Sequence, residues 1–108
     1  MNFIKNRAIV ILDTKYGFID NLGNEMLQCK YDHIWNFREN IIIIKLNNKY
    51  GIIDENCNEI IQIKYDWISI FIENKANVLL GTKYGFIDEH GNEITHIKYD
   101  DVWDINNG

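Results

Sequence analysis

The chain of 108 residues has no proline, only two cysteines, no surplus of positive charge and no long apolar run. Each absence narrows the reading. Without proline the turns rest on Asp, Asn and Gly. Cys29 and Cys57 show no CxxC spacing and fall at different places in the pattern described below, which argues against a disulfide framework or a zinc site and sets a reducing cytoplasm as the expected location. The net charge is -5, so the basic face that neutralises phosphates is missing and nucleic acid is not an expected partner. No apolar stretch approaches the roughly 18 residues of a membrane span. The opening "MNFIKNRAIVILDTKYG" has only a short apolar run with no small-residue cleavage site, so neither a membrane segment nor a signal peptide is expected. The abundance of Asn, Ile and Lys matches an AT-rich genome.

What the chain does have is repetition. "KYGFID" at Lys15–Asp20 returns at Lys83–Asp88, with "KYGIID" at Lys49–Asp54 between them. The period divides the chain into units 3–36, 37–70 and 71–104, which together read as a single β-repeat domain. Each unit opens with an apolar run, "RAIVIL", "IIIIKL" or "KANVLL". The alternate positions Ala8/Val10/Leu12, Ile42/Ile44/Leu46 and Ala76/Val78/Leu80 are apolar in every copy. The other set, Arg7/Ile9/Ile11, Ile41/Ile43/Lys45 and Lys75/Asn77/Leu79, tolerates charge. A period of two with one apolar face predicts a half-buried strand.

"YGFID" supplies a second strand, and "EMLQCKY", "EIIQIKY" and "EITHIKY" supply a third. The intervening "DNLGNE", "DENCNE" and "DEHGNE" predict hairpins with either a three-residue loop and a Gly bulge or a four-residue loop. Cys57 stands where the other copies have Gly23 and Gly91, so a left-handed position there costs about 1 kcal/mol. Asn6, Asn40 and Asn74, ahead of each first strand, suit a left-handed turn. "KYDHIWNF", "KYDWISIF" and "KYDDVWDI" then read as bends leading into the next unit. The expected unit is a three-stranded antiparallel meander with a corner.

"KYGFIDNLGNEMLQCKYDHIWNF", with its recurring aromatic-Gly, Ile-Asp, Gly, Tyr-Asp and Phe positions, resembles the WG-repeat (KWG-repeat) family over nearly the whole chain. Tyr16, Tyr50 and Tyr84 replace that family's Trp before Gly. Gln28, Gln62 and His96 replace its frequent Pro, and Asn6, Asn40 and Asn74 replace its Gly. The resemblance implies a β-rich repeat protein, generally bacterial and without an agreed activity, and it transfers no catalytic or binding residue. The expected fold is all-β: three antiparallel three-stranded units in an open array, with a closed three-fold toroid or propeller-like ring as the alternative.

Catalytic chemistry would show as one copy carrying groups that the others lack. His33, His90 and His96 occupy three different repeat positions without a second ligand at metal spacing. No GxSxG, Walker or HExxH motif occurs. The Asp20/Glu25 pair recurs at every turn, as hairpin chemistry does. The expectation is therefore a non-enzymatic protein-binding repeat module with no cofactor and no metal. Its candidate anchors are Trp35 and Trp103, at equivalent positions with Ser69 between them, and Trp67, two positions earlier in the same alternation phase. Aromatic anchors of this kind serve interfaces and sugar platforms alike, so a glycan-binding module is one alternative. The other is an acidic inhibitor or immunity-type protein that blocks a basic site through Asp100, Asp101 and Asp104. Residues 83–108 carry two basic and six acidic side chains, against four of each in residues 15–48. Open sheet edges would also permit self-association.

Overall fold

The computed structural model describes residues 7–38 and 41–102. Every regular element among them is a strand: β1 (Arg7–Leu12), β2 (Lys15–Asp20), β3 (Glu25–Tyr31), β4 (His33–Arg38), β5 (Ile41–Leu46), β6 (Lys49–Ile53), β7 (Glu59–Tyr65), β8 (Trp67–Ile68), β9 (Lys75–Leu80) and β10 (Lys83–Asp88). They form three separate sheets in chain order, β1-β2-β3, β4-β5-β6-β7 and β8-β9-β10. All resolved pairings are antiparallel and no sheet closes into a barrel. This is the all-β, open-array organisation that the repeat predicts. The chain divides into two compact units, Met1–Lys64 and Tyr65–Gly108.

Local chemistry explains the hairpins. The first two strands of each repeat are joined by two-residue turns. Asp13-Thr14 and Asn47-Asn48 have positive φ at both residues, the type I′ geometry whose twist matches the flanking strands. Gly81 has a φ of 67°, and as the first turn residue before Thr82 it gives the type II′ form. The second hairpin of each repeat is the three-residue loop with a bulge, one of the two geometries the sequence left open. Asp20 N–H donates to Asn24 O at 2.9 Å, and Gly23 N–H donates to Asp20 O at 3.1 Å. The Asp20 carboxylate accepts from the N–H groups of Asn24 and Leu22 at 2.8 and 2.9 Å, and the Asn24 bond above all holds its pKa below the usual carboxylate value. Asp54 and Asp88 repeat these hydrogen bonds. The third loop residue has positive φ in each copy: Gly23 and Gly91 at 87°, and Cys57 at 67°. Asn74 is likewise left-handed, at 66°. Asn6 and Asn40 lie outside the described residues.

The glycine of each "YG" pair has a steric task. A Cβ on Gly51 would lie 2.7 Å from Ile61 O, and one on Gly85 would lie 2.9 Å from the Cα of Ile97. In the first repeat β3 bulges over Gly17: from Tyr16↔Tyr31 to Phe18↔Leu27, β3 advances four residues while β2 advances two. The extra backbone needs the room that a missing side chain leaves.

The predicted three-stranded unit needs one correction. The segment after the Tyr-Asp corner is a strand, and it pairs with the first strand of the following repeat. β4 runs beside β5 with Ile34↔Ile44 and Trp35↔Ile43, and β8 runs beside β9 with Trp67↔Leu79. Each such sheet therefore straddles a repeat boundary. The corner Asp fastens the junction. Asp32 N–H donates to Lys45 O at 2.8 Å, and its carboxylate accepts from Asn47 N–H at 2.8 Å and from Lys15 Nζ at 2.6 Å. Asp66 likewise donates its N–H to Leu79 O at 2.8 Å and accepts from Gly81 N–H at 2.8 Å.

The core of the first unit lies between its two sheets. Phe18 and Tyr31 meet Ile34, Ile42, Ile44 and Ile53, with Ile9, Leu27 and Cys57 packed against them. Each such isoleucine contributes about 1.5–3 kcal/mol on full burial. The one-face reading holds for β9, where Ala76 and Val78 are buried, but not for β5, where Ile41, Ile42, Ile43 and Ile44 are all buried. In β1 it is Ile9, from the set thought tolerant of charge, that joins this core, while Leu12 is exposed. The third strand expected at "EITHIKY" reduces to single bridges, Ile87↔Glu93 and Tyr84↔Tyr99. There Thr95 Oγ1 accepts the Phe86 N–H at 3.1 Å, a side-chain substitute for ladder pairing. Ser69 acts similarly at the end of β8, where its Oγ accepts the Asn77 N–H at 3.0 Å.

Candidate functional site

Alternation along β4 sends residues 33 and 35 to the same side. The tight hairpins place the "YG" tyrosines of β2 and β6 within reach. The result is a ladder of four rings within the first unit. Tyr16 and His33 have centroids 4.5 Å apart, His33 and Trp35 4.0 Å apart, and Trp35 and Tyr50 5.7 Å apart with their planes only 25° from parallel. Trp35 keeps 39% of its surface in solvent, while the other three rings are half-buried. Such a ladder offers a broad, stiff aromatic face at little entropic cost, because its rings already restrain one another.

The surrounding charges are fixed. Lys45, opposite His33 in the ladder of backbone pairs, has its ammonium 5.5 Å from the Tyr50 ring centroid. Lys15 is held by Asp32, whose carboxyl is kept below its usual range by that hydrogen bond first and by the Asn47 N–H second. His33 is pushed towards its neutral form, mainly by burial and further by Lys45. A neutral imidazole at the centre of the ladder carries one N–H donor and one acceptor nitrogen.

The sequence-predicted residues fall differently. Trp67, on β8 of the second unit, is 45% exposed. Asp100 is ion-paired with Lys83, which lowers its pKa, and it stands at the corner position that Asp32 fills in the first repeat. Asp101 is exposed and caps the N–H of Val102 at 2.9 Å. Trp103 and Asp104 lie outside the described residues. The structure thus brings Trp35 together with Tyr16, His33 and Tyr50, three residues that the sequence reading did not join to it. The signal was present: His33 shares the alternation phase of Trp35, and Tyr16 and Tyr50 are the aromatic residues of successive "YG" pairs.

Among the described residues, no three of His, Cys, Asp and Glu gather closely enough to hold a metal ion, and no helix is long and apolar enough to cross a membrane. No curated protein and no solved structure matches the chain. The model of the WG containing repeat matches three times in succession, at residues 16–50, 50–84 and 84–108, with the spacing of the recurring "KYG". With three consecutive matches and three antiparallel β units in series, the chain belongs to the WG-repeat family.

Proposed function

We propose that the chain is a non-enzymatic protein-binding module whose contact surface in the first unit is the ladder Tyr16–His33–Trp35–Tyr50. The observation that carries this reading is Trp35, solvent-facing yet held between a tilted His33 ring and a stacked Tyr50 ring, the state in which a tryptophan anchors an interface without a large ordering cost. Trp67, similarly exposed in the second unit, provides a second anchor. The partner is a protein with an apolar or cationic group to set against the rings, met in a bacterial cytoplasm.

The test is capture by the immobilised chain, comparing the parent with Trp35→Ala and Trp67→Ala at a temperature where circular dichroism shows all three folded. Loss of one specific protein with Trp35→Ala supports the reading, since truncating a hot-spot residue costs about 2 kcal/mol or more of binding. Equal capture by all three overturns it. The glycan alternative predicts array binding that depends on the same tryptophan. The acidic-inhibitor alternative predicts capture that fails at high salt and on Asp101→Asn, while Trp35→Ala is retained.

A further inference from the structure

Repeats one and two differ at one position in a way that leaves space. Trp35 on β4 lies opposite Ile43 of β5, which in turn lies opposite Ile52 of β6. One period later the same row reads Ser69, Asn77 and Phe86. Ser69 N–H donates to Asn77 O at 3.0 Å, and Asn77 lies opposite Phe86. The indole is replaced by a hydroxymethyl group, and a cleft stands at the row. Ser69, Asn77 and Phe86 line it together with Lys75, Ile70 and Ile72, and Val102 adds to its wall. Its volume is about 120 Å³, close to the roughly 150 Å³ of an apolar cavity that takes up benzene. One six-membered ring is of the size to occupy it.

The walls are apolar and partly uncovered. Ile70 and Ile72 are 58% and 45% exposed, while Phe86 and Val102 are half-buried. The polar groups differ in what they can still bond. Ser69 Oγ accepts the Asn77 N–H and donates to Ile70 O, both at 3.0 Å. Its single proton is committed, so it shapes the cleft without binding an anion. The Asn77 side-chain amide makes no hydrogen bond among the described residues, and Lys75 makes no ion pair among them. Asp88, the cross-strand neighbour of Lys75, commits its carboxylate to the N–H groups of His90 and Asn92. The Lys75 ammonium rests 5.1 Å from the Phe86 ring centroid, so a carboxylate entering the cleft finds the cation already placed. One period earlier the positions of Lys75 and Asn77 are Ile41 and Ile43, both buried. The cation and the amide therefore belong to this row and not to its counterpart.

We propose that this cleft binds a small aromatic monocarboxylate, with its ring against Ile70, Ile72 and Phe86 and its carboxylate on the Lys75 ammonium and the Asn77 side-chain NH2. A ring alone would cover the apolar walls but leave the cation and the amide unanswered. A carboxylate alone would meet one surface ammonium, an attraction that water screens to little. Together they reinforce each other, because the ring excludes water from beside the charge pair and so strengthens it. The site lies within the second compact unit and shares no residue with the Tyr16–His33–Trp35–Tyr50 ladder, so it goes beyond the partner surface proposed above.

The probe is phenylacetate, titrated into the full 108-residue chain and followed by amide proton–nitrogen correlation spectra. The expected result is saturable shifts at the backbone amides of Ser69, Ile70, Lys75 and Asn77 and at the Asn77 side-chain NH2, with a Kd of about 1 mM or tighter. Phenylacetamide, which lacks the charge, and acetate, which lacks the ring, bind about tenfold more weakly or worse. Two variants spoil the cleft. Ser69→Trp restores the indole of the first repeat and occupies the space, and Ile70→Glu sets a negative charge on an exposed wall. Each weakens phenylacetate about tenfold or more, in a protein whose spectrum elsewhere overlays that of the parent. Ile70→Glu decides the matter should Ser69→Trp fail to fold. The absence of saturable shifts up to about 10 mM overturns the proposal. So do shifts that survive the variants, shifts centred outside the cleft, or equal binding of phenylacetamide or acetate.

Discussion

Trp35→Ala separates a side chain that merely decorates the surface from one that is part of the fold. A tryptophan withdraws about 150–250 Å² when fully enclosed. At 39% exposure, Trp35 still withdraws about 90–150 Å², worth roughly 2–4 kcal/mol at about 25 cal/mol per Å². Unfolded chains already shield part of that area, and alanine retains the Cβ, so about 1.5–3 kcal/mol is the expected loss. The ring contacts with His33 (tilted) and Tyr50 (stacked) place the value towards the upper end, because aromatic pairs add about 0.5–1.5 kcal/mol beyond area. For a chain of this size each kcal/mol lowers the melting temperature by about 4–8 °C, so a drop of roughly 6–24 °C is expected. Ser69 at the equivalent position of the middle repeat would by itself argue that the side chain there can be truncated at little cost; the ring ladder around Trp35 argues the opposite. Thermal melts followed by far-UV circular dichroism, with Trp35→Phe as the conservative control, measure it. A Trp35→Ala variant that melts within two or three degrees of the parent would refute the reasoning and show that the ladder does not contribute to stability.

Gly51→Ala should destabilise by more than about 2 kcal/mol, because its Cβ meets backbone atoms that cannot move aside without shifting β7; urea denaturation reads this directly, and a neutral result would remove the steric account of the "YG" glycine. Cys57→Gly relieves a left-handed residue, worth about 1 kcal/mol, but it loosens the unfolded chain less favourably by about 0.4–1 kcal/mol and removes a side chain packed against the core. The net effect expected is near neutral or slightly destabilising, and a gain above about 1 kcal/mol would show that the packing of Cys57 contributes nothing. Stability should fall as pH drops below 6.5, because His33 is depressed in the folded state: the unfolded chain takes up its proton first, and the loss continues until pH passes the lower folded value. His33→Gln should flatten that limb of the stability profile. A second decline belongs below pH 3.8, where the depressed carboxyls of Asp20, Asp32, Asp88 and Asp100 are protonated in the unfolded chain before the folded one. Asp32→Asn should shrink it, as measured by urea midpoints at each pH.

Much of this architecture is local and was therefore legible in the residues. Strand identity came from alternation in "RAIVIL" and its copies, and the left-handed backbone at Gly23, Cys57, Gly91 and Asn74 came from turn chemistry acting within a few residues. The family followed from the same repeating positions. These features depend on a residue and its immediate neighbours, which is all that a linear pattern encodes.

Tertiary structure decided the rest. Alternation states that a strand has two faces, but it does not state how many of them are covered; hence both faces of β5 are buried where one was expected. A bend written as "KYDHIWNF" carries no mark of which strand the chain will lie beside, so only the folded backbone revealed that β4 completes the sheet of the following repeat. The glycines at 17, 51 and 85 occur at every period, but their purpose emerges only when β3, β7 and the segment at Ile97 pass so close that an added Cβ would clash with them. Trp35 was singled out by sequence alongside Trp67 and Trp103. That it stands in a row with Tyr16, His33 and Tyr50 depends on which strands become neighbours, and ring contacts between residues as far apart as 16 and 33 are fixed by pairing rather than by spacing.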